Sequence, residues 1–179
     1  MIDASQPARR PNRRRLIGAG ILLGIGLGGL FDGIVLHQIL QWHHMVSSTT
    51  PPDTVENLEL NTLGDGIVHA VAWVVTVTGV FVLMSSSGAR HEPGGTRTFV
   101  GALLAGWGLF NVLEGIIDHH LLGLHHVRPG ADQVLYDVAF LVWGAAMLIA
   151  GRWAVARARD ATRGETHAPS RSLDVERSR

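Results

Sequence analysis

The sequence predicts an all-α fold: a polytopic membrane four-helix bundle made of two helical hairpins that repeat in parallel. Three observations carry this. Apolar stretches at residues 16–44, 64–84, 99–124 and 134–155 supply the roughly 20 residues that a helix rising 1.5 Å per residue needs to cross a bilayer. Almost no amphipathic helix lies between them, although four buried helices of a soluble protein would need such cover. Two blocks, DGIVLHQILQWHHM at 32–45 and EGIIDHHLLGLHHV at 114–127, align without a gap.

Each element follows in chain order. Residues 1–15 form an Arg-rich tail (Arg9, Arg10, Arg13, Arg14, Arg15) ahead of a transmembrane domain at 16–157. The first span reads as retained and not as a cleaved signal peptide. No small-x-small site ends it, and it runs on through Asp32 and His37 into His43-His44. The loop from Val46 to Asn61 has no basic residue and carries Asp53, Glu56 and Glu59. The second span opens with Asp65-Gly66 and holds His69. The polar, Gly-rich connector at 85–98 carries Arg90 and Arg97. The third span contains the second block, and the loop after it holds Arg128. The fourth opens with Tyr136-Asp137 and is followed by Arg152, Arg157 and Arg159, then a polar tail at 158–179 expected to be disordered.

Basic residues mark the cytoplasmic side, so both termini and the middle connector are expected there, with Arg128 the exception outside. Two spans per unit give both copies one orientation, as parallel repeats about an axis along the membrane normal. Gly20, Gly24 and Gly28 on the first span and Gly101, Ala105 and Gly108 on the third are spaced to let those two helices approach closely.

The net charge of zero excludes little, and the absence of cysteine rules out disulfides, thiolate metal sites and Cys-attached haem. No nucleophile elbow, phosphate-cradling loop or His-Glu-x-x-His helix is present. The arginine-rich ends read as topology determinants, and no nucleic-acid partner is expected.

The chemistry lies in the histidines. Ionisable groups at bilayer depth are costly, rare and usually functional, and here one set occurs twice. Straight-helix geometry sorts it into layers. His37 and His44 lie about 10 Å apart along the axis, too far to share one ion. The inner layer is expected to hold His37, His119 and His69, with Asp118 near it. The outer layer holds His43, His44, His125 and His126 near Asp65 and Asp137, while Asp32 and Glu114 lie about 7 Å deeper. Imidazole with carboxylate and no thiolate suits a transition metal ion such as Cu(II), Zn or Fe. His37, His69 and His119 are the first-choice ligands, with Asp118, Asp65 and Asp137 as ligands or supporting carboxylates. Capping of their helices is a competing role for Asp65 and Asp137. A proton relay or a structural polar network is the competing reading of the whole set.

LFDGIVLHQILQWHHM, the DG-x2-H of Asp65 to His69, FN-x2-EG-x2-DHH and HHVR between Phe110 and Arg128, and Tyr136-Asp137 together resemble a family of bacterial four-helix membrane proteins, a domain of unknown function. The resemblance covers residues 16–155. It implies the membrane fold and an inner-membrane location, with the lipid bilayer as partner. Members associated with assembly factors for copper-containing oxidases add copper handling or oxidase assembly as the expected role, with such a membrane protein, or a second copy of the chain, as partner. Two alternatives stay open. One is a di-metal oxidoreductase similar to histidine-box di-iron enzymes, so whether the chain is an enzyme is not decided. The other is a haem b protein with His37 and His119 as axial ligands.

Overall fold

All four apolar runs are helical, but the boundaries move: the second helix begins within the expected loop at 46–61, and the first and third helical segments end at Ile39 and Leu121, short of 44 and 124. The computed structural model describes residues 12–86 and 88–166 and contains four long helices. Helix α1 spans Arg13–Phe31 and continues as a π-helical segment, π1, at Asp32–Ile39. Helix α2 spans Val55–Met84. Helix α3 spans Gly95–Glu114 and continues as π2 at Gly115–Leu121, and α4 spans Gln133–Thr166. No strand occurs among the described residues. All four helices, with their π extensions, are long and apolar enough to cross a membrane. The expected tail regions 1–11 and 167–179, with Arg9 and Arg10, lie outside the described residues. Residues 158–166, also expected as tail, continue α4 instead; Ala158, Arg159, Ala161, Arg163 and Glu165 there are good helix formers.

Local chemistry sets the helix starts. Asn12 caps α1 by accepting from Arg15 N at 3.1 Å, and Thr54 caps α2 by accepting from Asn57 N at 3.2 Å. Such caps satisfy amides that have no partner inside the helix. At the same end of the bundle as the α1 cap, Arg15 donates to Ser85 O and Arg13 to Thr98 Oγ1, which ties α1 to the connector and to α3.

Packing runs in the order α2, α1, α3, α4: α1 and α3 form the central pair, α2 lies on α1, and α4 lies on α3. Beside Leu16, Leu23, Val127 and Met147 the interior is small or polar, and most bulky apolar side chains face outward. Ala19, Gly20, Gly24, Ala102 and Gly106 are buried, whereas Trp73, Phe81, Trp143 and Ile149 are each more than half exposed. This inversion fits lipid as solvent, where helices associate through close backbone packing and not by escape from water. Helices α1 and α3 cross at Gly24 and Gly106, where a Cβ at Gly24 would run into the backbone of Leu103, Gly106 and Trp107. The expected stripe on α3 is displaced, however. Gly101 and Gly108 face Gly151 and Gly144 of α4, while Ala102 and Gly106 meet α1. Both helix faces carry small residues about 100° apart, so spacing alone does not choose between them.

Candidate metal centre

The site is built where the two central helices widen. In π1, Leu40 N donates to Val35 O at 2.9 Å and Trp42 N to Leu36 O at 3.0 Å. In π2, Leu122 N donates to Ile117 O and Leu124 N to Asp118 O, both at 2.8 Å. These are five- and six-residue steps at matching positions of the two blocks. A regular α-helix would place residues five apart about 140° from one another; the wider π turn brings them onto one face. Asp32 therefore meets His37, and Glu114 joins His119. The chain then reverses through left-handed residues, Gln41 at φ 49° and Gly123 at φ 58°. Glycine adopts this freely, but for Gln41 it costs on the order of 1–3 kcal/mol, a strain typical of functional sites.

That reversal turns His43 and His125 back into the protein. Both rings are buried, stacked 4.5 Å apart at an interplanar angle of 6°. His37 meets His43 edge-on at 4.3 Å, and His119 meets His125 edge-on at 4.8 Å. The straight-helix layering expected from the sequence does not hold for these two residues: they sit with His37 and His119, not in a water-facing layer.

Hydrogen bonds fix which nitrogen of each ring points inward. His43 Nδ1 donates to Val127 O at 2.8 Å and His125 Nδ1 to Met45 O at 3.1 Å, each reaching the opposite half of the chain. His37 Nδ1 donates to Asp65 Oδ1 at 2.8 Å. A ring donating from Nδ1 in its neutral form presents a lone pair at Nε2. Nε2 of His37, His43, His119 and His125 is buried without a hydrogen-bond partner, as is Glu114 Oε2. Neutral imidazole is the form that binds metals.

Carboxylates face these lone pairs. Asp32 Oδ2 lies 3.0 Å from His37 Nε2 and 3.9 Å from His43 Nε2, and Glu114 Oε1 lies 3.6 Å from His125 Nε2. The His37 contact lacks hydrogen-bond geometry, so with Nδ1 already donating, two acceptors stand face to face unless a proton or cation lies between them. Glu114 also has Asp32 and Asp118 as charged neighbours. Clustered carboxylates so deep are expensive, and a bound cation compensates them. Two groups have ligand atoms within 4.8 Å of one another: His37, His43 and His125, and Glu114, His119 and His125.

The remaining expected residues take other places. Asp65 also accepts from His44 Nδ1 at 2.7 Å, Met45 N at 2.8 Å and Gln38 Nε2 at 3.2 Å. Asp137 accepts from His126 Nδ1 at 2.7 Å and Val127 N at 2.9 Å, with His119 Nδ1 at 3.6 Å. These two aspartates orient rings and loop backbone. His44 and His126 are partly exposed, at 15% and 26% of their side-chain surface. His69 Nε2 is buried against Gly33 without a partner, outside both three-residue groups. Asp118 is half-buried and also outside them. Sequence reasoning missed the roles of Gln38 and of the Met45 and Val127 backbone, and it expected Asp65 to open its helix, whereas Asp65 lies well inside α2, whose cap is Thr54.

The fold and site define a class: a four-helix membrane protein with a buried histidine–carboxylate cluster between its central helices. The family described as "Predicted membrane protein (DUF2243)" matches residues 19–158, and the chain belongs to it. No curated protein and no solved structure matches the chain.

Proposed function

We propose that the protein binds a transition metal ion between its two hairpins, in the end of the bundle that faces the extracytoplasmic side. His37, His43 and His125 form the first set of ligands. Glu114 and His119 extend the set through the shared His125, and Asp32 lies beside His37 and His43. The observation that carries this reading is the two overlapping groups of ligand atoms built around buried, unpartnered Nε2 atoms of His37, His43 and His125. All three belong to rings anchored through Nδ1 by a carboxylate or a backbone carbonyl, the arrangement that fixes tautomer and orientation in metal sites. Asp65 and Asp137 act as orienting carboxylates in it. Imidazole and carboxylate donors without sulfur favour Cu(II), Zn or Fe. Copper handling or oxidase assembly remains the role that the family resemblance supports.

Two overlapping groups with a carboxylate between them also suit a pair of ions, which favours a di-metal oxidoreductase as the second reading. Haem between His37 and His119 is the least supported, because the stacked His43–His125 pair stands between them.

The test is elemental analysis of protein purified in mild detergent without an affinity-tag metal. Stoichiometric transition metal is expected in the native chain. His37→Ala, His43→Ala and His125→Ala should each lose it while the protein still inserts, and His91→Ala, in the connector, should keep it. Metal retained in all three inner variants would overturn this site.

A further inference from the structure

We propose that the cavity between α1 and α4 binds a lipid-soluble aromatic ring with a hydroxyl or carbonyl at its edge, the chemistry of a membrane quinol or quinone. The cavity measures about 620 Å³, within the range of roughly 300–1,000 Å³ typical of small-molecule sites. Helices α1 and α4 do not pack on one another, so a ligand can enter sideways from the lipid. Its walls are flat and aromatic: Phe31, Trp42, Trp107, Tyr136, Phe140 and Trp143. Such faces suit a planar ring, since offset or edge-on aromatic pairs contribute beyond the area they bury.

Two polar side chains line this apolar space, and both are more than nine-tenths buried: Asn111 is 4% exposed and Asp32 is 6% exposed. The Asn111 amide borders this apolar space, where a polar group gains from a hydrogen-bonding ligand. A ring carbonyl or hydroxyl would satisfy its N–H, and a ring hydroxyl would donate to Asp32. An acyl chain would fill the volume and leave both polar groups unanswered. Arg128 holds two of the lining rings: it donates to Tyr136 Oη at 2.8 Å and stacks on Trp42 and Tyr136 with 5.4 and 5.3 Å to the ring centroids. Through Asp32 the cavity reaches the histidine cluster, but this inference does not rest on an ion being bound there.

The experiment is equilibrium binding of a radiolabelled decyl-substituted benzoquinol to the full chain in lipid nanodiscs, with the matching quinone and decanol as competitors. Saturable binding near one per chain is expected. The quinone should compete, and decanol should compete at least ten-fold more weakly. Ala139→Phe on α4 and Leu103→Trp on α3 fill the cavity from opposite walls, and each should abolish binding. Asn111→Leu, close in volume, should weaken it about ten-fold, as loss of one buried hydrogen bond does. Binding that never saturates, that persists in both filled variants, or that decanol displaces equally well would overturn the proposal and leave an acyl-chain groove. Metal content of the same variants, and binding to chelator-treated protein, separate the two readings. Saturable quinol binding to metal-free protein sustains the cavity site even if no ion is found, and native metal content in Ala139→Phe shows the cluster intact.

Discussion

Asp65 shows how one residue can organise a site without belonging to its innermost ring. It accepts from His37, His44, Gln38 and the Met45 amide, so one carboxylate fixes two imidazoles and the loop after π1. Its location at bilayer depth makes full ionic pairing with these donors worth more than capping a helix would be. Asp65→Asn keeps the shape but replaces one acceptor oxygen with a donor, which sets two N–H groups against each other and frees His37 to turn. Loss of metal affinity of about 10–100-fold is expected, the usual effect of removing an orienting partner, with insertion unchanged. A competition titration against a chelator measures it. Unchanged affinity would show that the His37 orientation does not depend on Asp65.

At the scale of the element, the π segments matter more than the helices that carry them. Hydropathy made the four spans legible, and the aligned blocks made most of the cluster legible, because both depend on residue type and order alone. The backbone register was not legible. A straight helix separates His37 from His43 by one and a half turns or more, and nothing in DGIVLHQ announces a five-residue step. The left-handed turn was half visible, since Gly123 signals it and Gln41, at the matching position, does not. His43 and His125 were consequently placed at the water interface. Inserting an alanine after Val35 in π1 sets Asp32 and His37 six residues apart, a spacing that neither an α nor a π turn brings onto one face, and so rotates His37 away from Asp32. Metal binding is then expected to disappear, while the variant still reaches the membrane at native levels, because the Gly24–Gly106 crossing deeper in the bundle is untouched. If that variant retained its metal, the wide turn would not be what assembles the cluster.

For the whole molecule, the arginines and the histidines occupy opposite ends of the same four helices. Arg13, Arg15, Arg90 and Arg97 gather where α1 and α3 begin, and the clustered rings lie where π1 and π2 end. Lys and Arg flanking the spans set orientation because they resist translocation, so the arginine end is expected in the cytoplasm and the histidine cluster opens to the other side. The outward Arg128 does not reverse this, being one charge against the several at the opposite end, and its stacking on Trp42 and Tyr136 gives it a local role. Reporter fusions check the prediction. A periplasm-active reporter should be active after Ser48 and after Arg128 and silent after Arg90, with the opposite pattern for a reporter that works only in the cytoplasm. The result bears directly on the metal. Under the proposed metal site, a cluster on the outer side would draw ions from a compartment where copper and zinc are not buffered by cytosolic thiols, whereas a reversed pattern would present the same ligands to the cytoplasm and remove delivery to an outward-facing oxidase centre from consideration.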